Sequence, residues 1–183
     1  MEKKFNNKPN TCIKQDGKEY WLSRSCSVNG VVAAFINGCC TDVFVLVVKR
    51  GKGAPDNVGK YCLPCGYLDY DETCYDAFLR EVYEETGLDI TGFEKSYSVD
   101  TEVINGEVQP FYVNSRTTNN RQNVAMYYHY VFKTDKLPET SLEFNEPDEI
   151  EEAIWIKKSE LDKYDFCFGH DEIIKNCCFI NHK

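Results

Sequence analysis

The chain has 183 residues, of which 42% are hydrophobic and 14% aromatic, so it is long enough to bury the core of one domain. Its 21 basic and 30 acidic residues give a formal net charge of −9. This charge argues against a long nucleic acid as partner, because basic patches provide the affinity for a phosphate backbone. The negative net charge is compatible with a small anionic substrate if a metal cation offsets the repulsion between protein and substrate.

The first segment, MEKKFNNKPNTC, is charged and precedes no apolar stretch, unlike a secretory signal peptide. Apolar runs such as VFVLVV are far shorter than the roughly 18 residues that indicate a membrane span. These features predict a cytoplasmic protein with no membrane segment. Residues 1–20 are polar and contain Pro9 and Gly17, so we expect an N-terminal arm, with room for a short hairpin, before one domain over residues 21–183.

Strands are predicted where the composition becomes apolar and β-branched. The stretch WLSRSCSVNGVVAAFI begins this region, and TDVFVLVVKR is typical of a buried strand that ends in Lys49 and Arg50. Cations at a strand exit are candidates for substrate phosphate contacts, and these two are the preferred pair over Arg24, Arg116 and Arg121. The loop GKGAPDNVGK and the short segment YCLPCG follow.

A helix is predicted from Asp71 to Thr86, a stretch without Gly or Pro. Asp69 with Glu72 three residues later has the form of a capping box, and Gly87 is a natural stop. At about 100° per residue, one side of this helix is apolar and should pack on a sheet. Its residues are Cys74, Tyr75, Phe78, Leu79 and Val82.

Three carboxylates, those of Glu81, Glu84 and Glu85, crowd the arc beside this apolar face. Their mutual repulsion, at the helix end that disfavours anions, calls for a positive partner. Mg²⁺ or Mn²⁺ suits carboxylate oxygens and bridges them to substrate phosphates, and Arg80 can hold one carboxylate in position. The alternative is an ordinary solvated acidic face.

The second half of the chain alternates strands and loops. Asn105-Gly106 is a hairpin turn signal, NVAMYYHYVF is a strand candidate, and a long polar loop runs to Glu152. AIWIKKSEL predicts a strand leading into a helix, and HDEIIKNCCFI predicts a closing helix. Mixed strands with two or three helices favour an α/β layered sandwich.

The ten cysteines include a C-x-x-C at Cys62 and Cys65. Because no second C-x-x-C exists, packed thiols are favoured over a zinc site or a disulfide framework. Several aromatic residues are candidates for stacking on a base, although a core role is commoner: Trp21, Phe111, Tyr112, Tyr127 and Tyr128. His129 and His170 are expected to be structural.

The fixed positions between residues 66 and 88 form one pattern. They are Gly66, Glu72, Arg80-Glu81-Val82, Glu84-Glu85 and Gly87-Leu88. At every one of them the chain resembles the Nudix hydrolase family, whose Nudix box has this spacing. Beyond the box, only the strand order and the IWIKKSEL segment look similar.

The resemblance implies a single-domain α/β/α sandwich with a mixed sheet that hydrolyses a nucleoside diphosphate linked to another group, such as an NTP, a nucleotide sugar or a dinucleotide. It also implies Mg²⁺ or Mn²⁺, with Arg80 orienting Glu81 and Glu72 in a supporting role. The implied metal ligands are Glu81, Glu84, Glu85 and the carbonyl of Cys65. Cys65 stands where the family often has the first glycine of a PGG. This departure leaves open whether the turn before the helix has the geometry usual in the family.

Many family members use an additional glutamate from a later loop, and Glu143, Glu146 and Glu149 are equal candidates for it here. Homodimers are common in the family, although no residue shows an interface. Two other classes stay open. One is a Nudix fold that has lost catalysis and only binds a nucleotide, and the other is a structural domain with an acidic helix.

Overall fold

The structure is a computed structural model that describes residues 11–22, 26–36, 43–94, 102–118, 121–145 and 148–177. A mixed β-sheet forms its centre. The first strands are β1 (Thr11–Gln15), β2 (Lys18–Leu22), β3 (Cys26–Ile36), β4 (Val43–Arg50), β5 (Tyr61–Cys62) and β6 (Cys65–Tyr67). They are followed by β7 (Val103–Ile104), β8 (Glu107–Val108), β9 (Tyr112–Asn114), β10 (Thr117–Thr118), β11 (Arg121–Gln122), β12 (Val124–Thr134) and β13 (Ile150–Lys157). The helices are α1 (Cys74–Thr86) and α2 (His170–Asn176), with 3₁₀ turns at Ile90–Gly92 and Lys158–Lys163.

The main sheet has the order β13-β4-β3-β12-β9, and β12 runs parallel to β3 while the other pairs are antiparallel. Among the described residues, β3 and β4 pair where residues 33–35 face residues 43–45. Beyond this point β5 pairs with β4 and β6 pairs with β3. The segment that leads into α1 therefore lies between the two central strands.

Both faces of the sheet are covered, which is why β3 and β4 are almost continuously apolar. Successive side chains of a strand point to opposite faces. Val31, Ala33 and Phe35 accordingly pack in one buried cluster with Ile174 of α2. Val28, Val32 and Ala34 pack in another with Phe78 and Val82 of α1. The predicted α/β/α sandwich is confirmed.

Helix α1 begins at Cys74, three residues later than predicted from the sequence. Asp71 has φ 65°, which an α-helix cannot contain, and Thr73 is the N-cap that accepts from the N–H of Asp76. The predicted contact of Glu72 with Asp69 is present, since Glu72 Oε1 accepts from the Asp69 N–H at 2.7 Å. Gly87, with φ 69°, ends the helix as predicted.

Most other elements agree with the sequence predictions. The hairpin at Asn105 and Gly106 joins β7 and β8, and all of NVAMYYHYVF except its first residue lies in β12. The predicted helix after β13 is a 3₁₀ helix, and α2 ends at Asn176. The part of the predicted closing helix from residue 178 onward lies outside the described residues.

Strands β1 and β2 form a hairpin that crosses the predicted boundary between residues 20 and 21, and that boundary stays a prediction. Within the described ranges, no helix has the length and apolar character needed to cross a membrane. The cytoplasmic location stays a prediction as well. The seven cysteines in these ranges are free thiols, as expected from the sequence.

Candidate active site

Arg80 is the centre of a hydrogen-bonded cluster on α1. Its Nε and Nη2 donate to the two carboxylate oxygens of Glu72 at 2.9 and 2.8 Å. Its Nη1 donates to Glu81 Oε1 at 2.7 Å and to Glu84 Oε2 at 3.0 Å, and Nη2 also donates to the Tyr67 carbonyl at 3.0 Å. The guanidinium therefore holds three carboxylates in fixed positions, including the predicted partner Glu81.

One guanidinium does not balance the negative charge of this cluster. Burial raises the pKa of Glu81 to about 8 even though Arg80 lowers it, and burial likewise raises the pKa of Glu84 to about 7. Burial and the neighbouring Cys65 and Glu81 raise the pKa of Glu85 well above its ordinary value. Desolvation thus opposes full ionisation of the cluster, and a further cation would relieve this cost.

Glu85 lies apart from Arg80 and contacts the strand that precedes the helix. It is 4% exposed, and its Oε2 accepts from the Cys65 N–H at 2.9 Å. Gly66, the next residue, lies so close to Glu81 that an added Cβ would overlap the carboxylate. Cys65 is not among the residues with positive φ, so a cysteine fits where the family often has glycine.

The donor chemistry of the glutamates fits a hard divalent cation. They offer carboxylate oxygens, which Mg²⁺ and Mn²⁺ prefer, and buried Glu84 Oε1 has no hydrogen-bond partner among the described residues. In the same part of the chain, however, no three acidic, His or Cys side chains converge as around a bound ion. The ligand roles of Glu81, Glu84, Glu85 and Cys65 therefore stay predictions.

The structure distinguishes between two of the three loop glutamates that the sequence leaves equal. Glu149 is half-buried, and its negative charge contributes to the raised pKa of both Glu81 and Glu85. The N–H of Gly51 donates to its carbonyl at 2.7 Å, which anchors the loop. Glu143 is exposed, and Glu146 lies outside the described residues. No local sequence signal identifies Glu149, because its position depends on a contact between distant segments.

Lys49 and Arg50 are not brought together. As neighbours on a strand they point to opposite faces of the sheet. Lys49 Nζ donates to Glu151 Oε1 at 2.8 Å, whereas Arg50, buried, donates from Nε to the Asp56 carbonyl at 2.9 Å. Their role as a pair in phosphate binding is not supported by this arrangement, and a role for either one stays a prediction. The side chains of Arg24 and Arg121 lie outside the described part.

A cavity of about 600 Å³ opens beside α2. Of the predicted stacking residues, Phe111, Tyr112 and Tyr127 line it, while Tyr128 faces the other side of the sheet and stacks on Phe78 at 5.7 Å. The other lining residues include Asn114, Arg116, Phe168 and Asn176. The side chain of Trp21 is outside the described part.

Asn29 lies in β3 between the strands that carry Cys65 and Tyr127, and sequence reasoning missed it. In β3 it is paired with Cys65 of β6 on one side and with Tyr127 of β12 on the other. Paired residues of adjacent strands share a face, so the three side chains lie in a row. Asn29 is 5% exposed, and its Nδ2 has no hydrogen-bond partner among the described residues. A polar residue inside the apolar run of β3 is the signal that could have identified it.

His170 has the structural role expected from the sequence. It is 1% exposed, and its Nδ1 accepts from the Leu63 N–H at 3.0 Å. Burial, assisted by the positive charge of Arg50, lowers the pKa of His170 to about 3. The imidazole is therefore neutral and joins α2 to the segment between β5 and β6. His129 packs edge-on against Phe111 at 5.6 Å.

The NUDIX domain family matches residues 29–177, and no curated protein gives a significant sequence match. The NUDIX domain of Shewanella oneidensis NrtR, complexed with ADP ribose, superposes with a TM-score of 0.60 and 16% identity, over 86% of this chain and 88% of that one. A C. elegans Ap4A hydrolase binary complex superposes with a TM-score of 0.59 and 12% identity, over 85% of this chain and 96% of that one.

A bifunctional NMN adenylyltransferase/ADP ribose pyrophosphatase from Francisella tularensis, complexed with AMP and a Mn ion, gives a TM-score of 0.60 and 20% identity. That match covers 84% of this chain and 41% of the longer one. At these identities the structures share the fold. The family match spans most of the chain and includes the helix that carries Arg80, Glu81, Glu84 and Glu85. The chain belongs to the Nudix family.

Proposed function

We propose that this protein is a Mg²⁺- or Mn²⁺-dependent hydrolase that cleaves the pyrophosphate linkage of a nucleoside diphosphate joined to another group. The observation that carries the proposal is the buried cluster of Glu81, Glu84 and Glu85, whose charge Arg80 alone does not balance. A structural domain gains nothing from three desolvated carboxylates on one helix. A site that binds a divalent cation together with a polyphosphate uses all three carboxylates as oxygen donors.

When bound by Glu81, Glu84, Glu85 and the Cys65 carbonyl, the metal would neutralise the pyrophosphate and lower the pKa of a water molecule. Arg80 keeps the Glu81 and Glu84 side chains in place through its contacts at 2.7 and 3.0 Å. The Cys65 N–H does the same for Glu85. These side chains thereby bind and orient the reacting groups before the reaction begins.

Hydrolysis joins the oxygen of water to one phosphorus and breaks the bond from that phosphorus to the bridging oxygen. A carboxylate must accept the proton of the attacking water. Glu81 and Glu149 are the two candidates, because both belong to the same electrostatic cluster. The products are two phosphate-bearing molecules, and the accepted proton returns to solvent.

The cavity beside α2 is the proposed place for the nucleoside. Phe111, Tyr112 and Tyr127 offer aromatic faces on which a base can stack, and Arg116 and Asn114 offer polar groups at the same cavity. A row of paired residues runs from Cys65, whose N–H donates to Glu85, through Asn29 to Tyr127, which lines the cavity. A substrate with its base in the cavity and its pyrophosphate at the glutamates would pass the unpaired amide of Asn29.

A nucleotide-binding module without catalysis is the second candidate. It is favoured by the similarity to the NrtR NUDIX domain, which was crystallised with ADP ribose. The presence of all the box carboxylates favours the enzyme instead, because a module that only binds has no need to keep them. A homodimer in the cytoplasm is a further expectation, to be tested by gel filtration and cell fractionation.

The test is product chromatography with Mg²⁺ or Mn²⁺ over NTPs, nucleotide sugars, ADP-ribose and dinucleoside polyphosphates. Glu85→Gln is the matched control, because glutamine can still accept from the Cys65 N–H while the charge is lost. Turnover of one class that Glu85→Gln abolishes establishes the hydrolase. Binding without turnover, equal in both proteins, supports the module.

Metal binding has its own test, independent of the substrate. Mg²⁺ or Mn²⁺ at millimolar concentration should raise the thermal midpoint of the native protein, because a ligand that binds only the folded state stabilises it. Glu85→Gln should reduce this rise to that seen with an equal ionic strength of NaCl. An equal rise in both proteins would remove Glu85 from the metal site.

A further inference from the structure

Cys62 has a second cysteine neighbour that its C-x-x-C motif does not reveal. Tyr61 of β5 forms a parallel bridge with Phe166, in the segment before α2. The Tyr61 N–H donates to the Asp165 carbonyl at 2.9 Å, and the Cys167 N–H donates to the Tyr61 carbonyl at 2.9 Å. The next residues along the two segments are Cys62 and Cys167.

This register places the two cysteines side by side. In parallel strands, residues at matching positions point to the same face, and the backbones lie about 4.8 Å apart. A disulfide needs Cα atoms about 4.4–6.8 Å apart, and the spacing of paired parallel strands falls within this range. Cys62 and Cys167 also belong to one buried cluster with Val48 and Ile150, and they are 0% and 5% exposed.

The surroundings favour a reactive thiol at Cys167. A hydrogen bond from Cys62, together with the positive charge of Arg50, lowers the pKa of the Cys167 thiol despite its burial. Arg50 is held there by Asp56 and lies over the Phe168 ring at 5.3 Å. The guanidinium thus favours loss of the Cys167 proton, and the thiolate is the form of cysteine that oxidants attack.

We propose that Cys62 and Cys167 form an oxidation site that closes to a disulfide. Hydrogen peroxide or another small peroxide converts the Cys167 thiol to a sulfenic acid and is itself reduced to water or an alcohol. The Cys62 sulfur then attacks the Cys167 sulfur, the S–O bond breaks, and water leaves with the Cys62 proton. One peroxide is consumed for each disulfide, and a thiol reductant reverses the change.

The disulfide would fasten one wall of the cavity. Phe168 and Gly169 follow Cys167 directly and line the cavity, while Cys62 begins the segment that leads to Cys65. In the reduced protein, hydrogen bonds such as that from the Leu63 N–H to His170 hold these two segments together. A covalent link would close a loop from residue 62 to residue 167 and restrict the unfolded chain.

The test oxidises the full-length protein with hydrogen peroxide, alkylates the remaining thiols, digests without reductant and identifies linked peptides by mass spectrometry. The expected product joins Cys62 to Cys167, disappears with dithiothreitol, and persists in Cys65→Ser, which removes the other C-x-x-C thiol. Oxidation should also raise the thermal midpoint by roughly 5–10 °C in wild type and not in Cys167→Ser.

A link between Cys62 and Cys65, or alkylation of both Cys62 and Cys167 after peroxide treatment, would overturn the proposal. This result is read on the wild-type chain, so it does not depend on how well a variant folds. It also needs no substrate, so its outcome is separate from that of the proposed hydrolase.

Discussion

Arg80 and Glu72 form a bidentate ion pair, in which Arg80 Nε lies 2.9 Å from Glu72 Oε2 and Arg80 Nη2 lies 2.8 Å from Glu72 Oε1. Both side chains are largely buried, at 16% and 15% exposure. The pair fixes the plane of the guanidinium, so that Nη1 faces Glu81 and Glu84. The supporting role that the resemblance implies for Glu72 stays a prediction, and the contact that the structure shows for this side chain is with Arg80, eight residues later in the chain.

Arg80→Lys should disable the enzyme while keeping the positive charge. A lysine ammonium cannot donate to both oxygens of Glu72 and also reach Glu81 and Glu84, because it lacks the planar fork. We expect kcat/KM to fall about 100-fold, equivalent to about 2.7 kcal/mol, and the thermal midpoint to drop by several degrees. Steady-state kinetics and melting check this, and wild-type kinetics in the lysine variant would contradict it.

Gly66→Ala tests the close approach between β6 and the helix. The added methyl group would overlap the Glu81 carboxylate, which must then leave its contact with Arg80. We expect a loss of about 1–3 kcal/mol in the free energy of unfolding and at least a 100-fold lower turnover. Denaturant unfolding and kinetics measure the two effects.

Gly92→Ala is the matched control for this change. An added Cβ at Gly92 meets no atom within 4 Å, so its unfolding free energy should stay within about 0.5 kcal/mol of wild type. If the two alanine variants behave alike, the contact between Gly66 and Glu81 has no special importance.

Glu149→Gln should slow the reaction more than Glu143→Gln. Glu149 contributes to the raised pKa of both Glu81 and Glu85, whereas Glu143 is exposed. If Glu149 accepts the proton of water, its amide variant should lower kcat about 100-fold with little change in KM. Glu143→Gln should stay within about twofold. Equal effects from the two variants would leave Glu81 as the base.

The sequence predicted those parts of the site that depend on local spacing. Glu81, Glu84 and Glu85 lie within two turns of one helix, so a period of 3.6 residues places them together. The place of Arg80 on this helix and the end of the helix at Gly87 were also predicted from local sequence. The helix start was misplaced because Asp69 and Glu72 make one capping contact, while Thr73 makes the contact that begins the helix.

Contacts between distant segments could not be predicted in this way. Glu149 reaches the cluster through a loop fixed by Gly51, and Cys167 meets Cys62 through the bridge at Tyr61. The different directions of Lys49 and Arg50 are another matter, and their role in phosphate binding stays a prediction. Strand alternation alone sends these side chains to opposite faces, and that rule was available from the sequence.

Asn29→Leu should separate stability from substrate binding. The unpaired Nδ2 of Asn29 is buried, and replacing an unsatisfied polar group by an apolar one of similar size is neutral or stabilising. We therefore expect an unchanged or higher thermal midpoint together with a roughly tenfold higher KM, because a hydrogen bond to substrate is lost. Melting and kinetics measure this, and an unchanged KM would exclude Asn29 from the binding site.

His170 should make the protein less stable in acid. Its pKa is lowered from 6.5 to about 3 by burial and by Arg50, so the unfolded chain binds a proton that the folded protein excludes. The stabilising contribution is complete above pH 6.5 and is lost as the pH falls towards 3. The expected slope over most of that range is about 1.4 kcal/mol per pH unit.

His170→Asn isolates this effect. Asparagine Oδ1 can replace Nδ1 as acceptor for the Leu63 N–H but does not titrate. The raised pKa values of Glu81 and Glu84 act in the opposite direction, since they favour the folded protein as the pH falls, and they cancel in the comparison. In urea unfolding at pH 7.5, 6.5, 5.5 and 4.5, wild type should lose stability relative to the variant at each step below about 6.5. Parallel curves would show that the imidazole takes up its proton without unfolding.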